Sequence, residues 1–120
     1  MIENWVQAYL KAWASDAPED VTALFTEDAR YFTEPYAEPW DGRDEIVREW
    51  IARGDSGSVW SFEHDIVAEC DDVAVVRGVT TYGPETSGES NGKTYHNIWI
   101  VHLAPDGRAR EFVEWWMKAK

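Results

Sequence analysis

The second half of this chain has the pattern of long β-strands joined by turns. Apolar and polar residues alternate from Trp60 to Cys70, and successive strand residues point to opposite faces of a sheet. Similar patterns predict strands over 59–70, 73–82, 93–103 and 108–117. Asp71-Asp72 and the sequence Ala104-Pro105-Asp106-Gly107 are turn sequences, so they predict two hairpins.

The first half has the pattern of helices. One helix face is predicted by the spacing of Ile2, Trp5, Val6, Tyr9, Leu10 and Trp13. Pro18 suits the first turn of a second, short helix. A strand over 29–33 and a loop over 34–41 come next, since two prolines in that loop disfavour helix. A third helix is predicted over 43–53, with Gly54 as its C-cap and an inward face of Ile46, Val47, Trp50 and Ile51.

This order of elements predicts the fold class. Helices followed by strands are typical of an α+β domain, in which three N-terminal helices pack on one face of an antiparallel sheet. A chain of 120 residues is the size of one domain, so we expect a single domain over 1–120.

One polar or charged residue interrupts each predicted inward row. These residues are His64, Arg77, Asn97 and Glu114. Burying a charge is costly unless the charge is paired or hydrogen-bonded. Four such interruptions therefore predict a pocket with a polar floor, in which the five aromatic residues expected to form the wall are Trp13, Trp50, Trp99, Phe112 and Trp116. Each of these aromatic residues could equally be plain core.

The last two predicted strands are apolar on both faces. Ile98 and Ile100, followed by Val113 and Trp115, form their second face. The helices can cover only one side of the sheet, so the other side needs another cover. The simplest cover is a second copy of the chain, and we expect a homodimer through this outer face.

Charge and composition narrow the range of partners and compartments. Acidic residues outnumber basic ones 23 to 11, and a net charge of −12 disfavours nucleic acids and anionic membranes as partners. A single cysteine, no long apolar run and no signal-peptide pattern predict a cytoplasmic protein. We find no metal-ligand spacing and no glycine-rich phosphate loop, so we expect no metal and no cofactor.

Two segments resemble a known family. The sequence from Trp40 to Ile46, and the C-terminal stretch from Asn97 to Trp116, are similar to the SnoaL-like branch of the nuclear transport factor 2-like superfamily. The resemblance implies a curved, antiparallel or mixed sheet wrapped with helices on its concave face, a cystatin-like cone with an apolar ligand pocket inside. The superfamily includes polyketide cyclases, ketosteroid isomerases, scytalone dehydratases, limonene epoxide hydrolases and non-enzymatic binding modules.

The resemblance also implies roles for particular residues. By similarity to ketosteroid isomerases, Glu34 before Pro35 would be the general base and Tyr9 would bind an oxyanion. The second oxyanion donor of those enzymes, a protonated aspartate, is replaced here by Trp99, and this departure argues against steroid isomerase activity. By similarity to limonene epoxide hydrolases, Arg77 and Glu114 would supply an arginine and one of two carboxylates.

The leading hypothesis is cofactor-independent acid–base chemistry on a small, largely apolar, carbonyl-bearing molecule. Glu34 or His64 would move a proton, while Arg77, Asn97 or Tyr9 would stabilise the oxyanion. The reaction would be an isomerisation, cyclisation or dehydration. Two other functions stay open: a non-catalytic carrier of an apolar molecule, and a dimeric assembly module. Structural roles also stay open, including an interior ion pair between Arg77 and Glu114.

Overall fold

The computed structural model describes residues 2–53, 60–82 and 93–118. Helix α1, Ile2–Ser15, is the predicted amphipathic helix, with Trp5, Val6 and Tyr9 buried along one face. Helix α2, Pro18–Thr22, begins at the expected proline. Helix α3, Arg43–Ala52, buries Ile46 and Trp50 but leaves Ile51 exposed, so its inward face is narrower than predicted. The predicted C-cap Gly54 lies outside the described residues.

The described strands are β1 (Phe25–Phe32), β2 (Trp40–Asp41), β3 (Trp60–Cys70), β4 (Val73–Tyr82), β5 (Lys93–Leu103) and β6 (Ala109–Lys118). β4 and β5 have the predicted bounds. β1 begins at Phe25 instead of residue 29, and β2 arises within the predicted loop, where Trp40 pairs with Tyr31. The predicted loop over 83–92 lies outside the described residues.

These strands form one curved, mixed sheet in the order β2-β1-β6-β5-β4-β3. β1 and β6 are parallel, and every other neighbouring pair is antiparallel. Pairing with the C-terminal strand places β1 between β2 and β6, and this pairing begins at Phe25, upstream of the predicted start of the strand. The fold is α+β as predicted, but α3 follows β1 and β2 in the chain, so the three described helices do not all precede the strands.

The helices place aromatic rings on one face of the sheet, which we call the inner face. Tyr9 of α1 lies 4.5 Å from Trp99 and 5.4 Å from Phe112, measured between ring centroids. Trp50 of α3 lies 4.9 Å from Tyr9. These contacts bury the side chains of β5 and β6 that point toward the helices, and they form the centre of the core.

The register assigns each strand residue to a face. His64, Gly78, Asn97 and Trp116 lie opposite one another on the inner face. Arg77, by contrast, pairs with Asp65 and Ile98 on the outer face. The prediction that Arg77 points inward is therefore wrong.

A β-bulge explains this error. The pairing of β3 with β4 shifts between Ile66 and Ala68, so that Ile66 lies opposite Val76. Without the shift, counting back from the turn would place Ile66 opposite Arg77. A bulge inserts one residue and reverses which side chains share a face. The inner row of β4 is consequently Ala74, Val76, Gly78 and Thr80, all of them buried.

Within the described ranges, no helix is long and apolar enough to cross a bilayer.

Candidate functional site

Glu114 is an acidic residue on the inner face. It lies on β6 between Phe112 and Trp116, as the sequence pattern predicts. Its Oε2 accepts hydrogen bonds from Asn97 Nδ2 at 2.8 Å and from Trp99 Nε1 at 3.3 Å. The other carboxylate oxygen, Oε1, accepts no hydrogen bond from the residues that the structure describes. The carboxyl group is thus anchored through one oxygen only.

Burial changes the acidity of Glu114. The removal of water raises the pKa of its carboxyl, and the hydrogen bonds from Trp99 and Asn97 oppose that rise only in part. Two other described carboxyls, Glu3 and Asp72, have a lowered pKa. Glu114 therefore has the chemistry expected of a group that exchanges protons closer to neutral pH.

Asn97 and Thr80 form a buried polar link to Glu114. Thr80 Oγ1 donates to Asn97 Oδ1 at 2.9 Å, and both residues are nearly inaccessible to solvent. The inward position of Asn97 is as predicted. Thr80 was missed because the predicted inner row of β4 was the wrong one. The bulge that reverses this row falls at Val67, the one apolar residue among Ser61, Glu63, Asp65 and Glu69 in the polar row of β3, and a single exception of this kind does not by itself indicate a bulge.

A pair of buried tyrosines completes the polar group. The hydroxyls of Tyr9 and Tyr31 are 2.8 Å apart, and either can be the donor. Burial raises the pKa of both phenols, and the charge of Glu114 raises both further. Both tyrosines therefore remain protonated donors at neutral pH. Tyr31 was not predicted, because one aromatic residue in a short strand segment is indistinguishable from ordinary core.

The aromatic residues of the predicted wall have unequal positions. Trp99, Phe112 and Trp50 are buried around Tyr9. Trp13 is partly buried and stacks on Trp60, with ring centroids 4.0 Å apart. Trp116 is 47% exposed and contacts Tyr95, so it lies toward one end of the inner face and outside the centre of the core.

His64 lies on the inner face but bonds to a helix. Its ring stacks on Phe62, and its Nε2 lies 3.1 Å from Glu3 Oε1 of α1. The side chain of His64 is 14% exposed, whereas that of Glu3 is 52% exposed. The contact links the start of α1 to β3 near the protein surface.

Two further predicted site residues are exposed. Arg77 Nη2 forms an ion pair with Asp65 Oδ2 at 2.9 Å on the outer face. The predicted interior ion pair between Arg77 and Glu114 is therefore wrong, since the two residues lie on opposite faces of the sheet. Glu34 lies on an exposed turn, and its backbone carbonyl accepts a hydrogen bond from the Ala37 N–H at 3.4 Å.

Metal-binding side chains do not cluster in the described part of the chain. No group of three or more His, Cys, Asp or Glu residues there has an arrangement that could hold a metal ion. Around Glu114 the described residues instead offer its own carboxyl, the amide of Asn97 and the hydroxyls of Thr80, Tyr9 and Tyr31, which suit proton transfer and hydrogen bonding.

Comparison with solved structures supports the fold. The chain is similar to a ketosteroid isomerase-like protein from Erwinia carotovora atroseptica, with 20% identity, 97% of this chain and 93% of that chain covered, and a TM-score of 0.67. It is similar to SalBIII, an epoxide hydrolase/cyclase-like enzyme of pyran ring formation in the polyether salinomycin, with 15% identity, 96% and 89% coverage, and a TM-score of 0.73. A putative polyketide cyclase from Sinorhizobium meliloti is 19% identical, with 92% and 93% coverage and a TM-score of 0.66.

Sequence comparison supports the family resemblance of the two segments. No curated protein matches the chain. The family model of the SnoaL-like domain matches residues 6–112, which is most of the chain. This protein therefore belongs to the SnoaL-like domain family.

Proposed function

We propose that this protein binds a small, largely apolar, carbonyl-bearing molecule on its inner face and catalyses a cofactor-independent proton transfer. The transfer would drive an isomerisation, cyclisation or dehydration. The observation that carries the proposal is Glu114, a carboxyl with a raised pKa that is held through one oxygen among aromatic rings. The similar solved structures named above, a ketosteroid isomerase-like protein, an epoxide hydrolase/cyclase-like enzyme and a putative polyketide cyclase, support a proposal of such chemistry.

Glu114 is the acid–base group in this proposal. General acid–base catalysis is most efficient when the pKa of the group is close to the working pH, and burial moves Glu114 in that direction. Asn97 and Trp99 fix Oε2. Oε1 is then the oxygen that takes a proton from the carbon next to the ligand carbonyl and returns it at another position.

The tyrosine pair stabilises the negative charge that develops on the carbonyl oxygen. Two hydroxyls carry two hydrogens, and the bond between Tyr9 and Tyr31 uses one of them. The other hydrogen has no acceptor among the described residues. A buried phenol with a hydrogen to donate is suited to an oxyanion, because low polarity strengthens the hydrogen bond.

This assignment changes the roles expected from sequence. Glu34 and His64 were the predicted proton carriers, but Glu34 is exposed and His64 bonds to Glu3. Arg77 faces outward, so it is not one of the ligand-binding residues in this proposal. Trp13, Trp50, Trp99 and Phe112 would wall the ligand inside a cone-shaped interior, with Trp116 at its edge.

Deuterium exchange tests the proposal and does not require the natural substrate. Purified protein is incubated in D₂O with a panel of apolar ketones, and deuterium at the carbon next to the carbonyl is measured by mass spectrometry. We expect the wild type to accelerate exchange for at least one ketone. Glu114→Gln should slow that exchange by about 10²-fold or more, since general acid–base groups typically contribute this much.

Glu63→Gln is the matched control, because Glu63 is exposed on β3. It should exchange deuterium at the wild-type rate. Equal exchange rates in wild type and Glu114→Gln would contradict the proposal. Ketones that raise the melting temperature, undergo no exchange and are recovered unchanged would support the alternative of a carrier. No binding at all would favour an assembly module.

We also propose that two copies associate through the outer face. The chain carries a net charge of −12, so two copies need a contact that is free of repulsion. On the outer face Arg77 pairs with Asp65, and Arg30 pairs with Glu111, so these four charges compensate one another. Trp115, 51% exposed, offers apolar area beside them. A cytoplasmic location stays a prediction from the sequence.

A further inference from the structure

A line of three side chains leads across the sheet to Glu114. Thr80 of β4, Asn97 of β5 and Glu114 of β6 lie on the inner face of three adjacent strands. Thr80 Oγ1 is 2.9 Å from Asn97 Oδ1, and Asn97 Nδ2 is 2.8 Å from Glu114 Oε2. Within the part of the chain that the structure describes, Thr80 forms no hydrogen bond with Glu114. The hydroxyl of Thr80 can therefore affect the carboxyl of Glu114 only through the amide of Asn97.

The chemistry of the three groups fixes the direction of these bonds. An ionised carboxylate can only accept hydrogen bonds, so the amide atom facing Glu114 must be the nitrogen of Asn97. The amide oxygen then faces Thr80, and the Thr80 hydroxyl must donate. If the amide turned over, its oxygen would face Glu114, and this arrangement suits only the protonated carboxyl.

We propose that Thr80 is a positioning residue: by donating to Asn97 Oδ1, its hydroxyl holds the amide in the orientation that presents Nδ2 to Glu114 and so favours the ionised carboxylate. The consequence for catalysis rests on the proposed function, in which Glu114 moves the proton. The orientation of the amide does not depend on that function. Thr80 and Asn97 are both buried, so water does not compete readily for either bond.

Other groups near Glu114 do not account for this effect. The ionisable side chains that face it are Tyr9 from α1 and Tyr31 from β1, and Tyr82 of β4 interacts with both. Burial raises the pKa of Tyr9 and Tyr31, so they remain neutral while Glu114 titrates. No described arginine or lysine forms an ion pair with Glu114. The amide of Asn97 is therefore the group through which Thr80 acts.

The experiment is a titration of Glu114 by NMR in protein labelled with ¹³C at the glutamate carboxyls. The Glu114 resonance is assigned by its loss in Glu114→Gln. In Thr80→Val the amide loses its orienting donor, and we expect the pKa of Glu114 to rise by about one unit, which is about tenfold in proton affinity. Thr80→Ser retains the hydroxyl and should titrate like the wild type.

Thr81→Val is the matched control, since Thr81 is the next residue of β4 and points to the other face. It should leave the Glu114 titration unchanged. The proposal is wrong if Thr80→Val titrates like the wild type, or if Thr80→Ser shifts as far as Thr80→Val. Thr80→Ala removes the hydroxyl without adding bulk and provides the same test should Thr80→Val not fold.

The titration also separates this proposal from the proposed function. It requires no substrate and reports only on how Thr80 affects Glu114. A wild type that exchanges no deuterium into any ketone would overturn the proposed function, yet the predicted shift in Thr80→Val could still be observed. The reverse result, exchange that depends on Glu114 with no shift in Thr80→Val, would overturn the role of Thr80 alone.

Discussion

At the scale of single residues, the environment of Glu114 balances two opposing effects on its carboxyl. Loss of water favours the protonated form, whereas the two hydrogen bonds to Oε2 favour the ionised form. Desolvation is the larger effect, so the pKa rises. Acid–base catalysis requires both the protonated and the ionised form of the carboxyl. At neutral pH, protonating Glu114 costs less free energy than protonating a glutamate with an ordinary pKa.

The raised pKa of Glu114 predicts a pH dependence of stability. The folded state holds this proton more tightly than the unfolded state, so the stabilisation is complete below the ordinary carboxyl pKa and is lost as pH rises through the raised pKa. Glu114→Gln has no carboxyl at this position, so its unfolding free energy does not contain this pH-dependent decrease. The unfolding free energy of Glu114→Gln minus that of the wild type should therefore increase between about pH 4 and about pH 8.

Urea denaturation at a series of pH values measures this difference. Glu63→Gln, at an exposed position, is the control and should show no comparable trend. A difference for Glu114→Gln that stays constant or decreases as pH rises would show that the folded chain does not retain the Glu114 proton.

The hydrogen bond between Tyr9 and Tyr31 predicts that removing the two hydroxyls has non-additive effects on stability. Tyr9→Phe leaves the buried hydroxyl of Tyr31 without its partner, which should cost about 1–3 kcal/mol of unfolding free energy. Tyr31→Phe should cost a similar amount. The double variant leaves no unpaired hydroxyl, so it should cost less than the sum of the two single variants. Thermal or urea unfolding measures all three, and strictly additive losses would mean that the two hydroxyls are not partners.

At the scale of elements, the β-bulge in β3 decides which side chains of β4 meet the helices. The pattern of the sequence was sufficient to predict the bounds of β4 and β5, because both are long and bounded by turn residues. It did not decide the inner row of β4, since both rows of that strand are mainly apolar and the row that contains Arg77 is otherwise rich in valine. In the folded chain, the inner row of β4 is the one that contains Gly78, because Phe62 lies directly over this position and leaves no room for a larger side chain.

Gly78→Ala tests this close packing. A Cβ atom at residue 78 would overlap the ring of Phe62, so this ring, which stacks on Trp99, must shift. We expect a loss of about 1–3 kcal/mol in unfolding free energy, which is typical of overpacking in a core. In a Phe62→Leu background the same change should cost much less. Equal losses in the two backgrounds would show that Phe62 does not limit residue 78.

At the scale of the whole molecule, the candidate site depends on contacts between distant parts of the chain. Asn97 and Glu114 could be predicted because each is a polar residue in an otherwise apolar row. The link between Tyr9 and Tyr31 could not, because it requires α1 to lie against β1, and the position of β1 depends on its parallel pairing with β6. Sequence periodicity assigns residues to faces, but it does not specify which distant strands become neighbours.

The proposed homodimer is also a property of the whole molecule. Trp115→Glu places a charge in the apolar part of the outer face, so it should convert a dimer into single copies at micromolar concentration. Tyr36→Glu is the control, an equivalent change at an exposed aromatic residue of the loop between β1 and β2. Sedimentation velocity measures both variants. A wild type that sediments as a single copy at these concentrations would contradict the dimer.

The titration of Glu114 in the wild type tests the central claim most directly. With ¹³C-labelled glutamate carboxyls, the midpoint of the Glu114 resonance reports the proton affinity of this group in the folded chain. The raised pKa predicts a midpoint above the ordinary pKa of a glutamate carboxyl, about 4.3. A midpoint at or below that ordinary value would mean that Glu114 is an ordinary carboxylate and that it is not an acid–base group of the proposed kind.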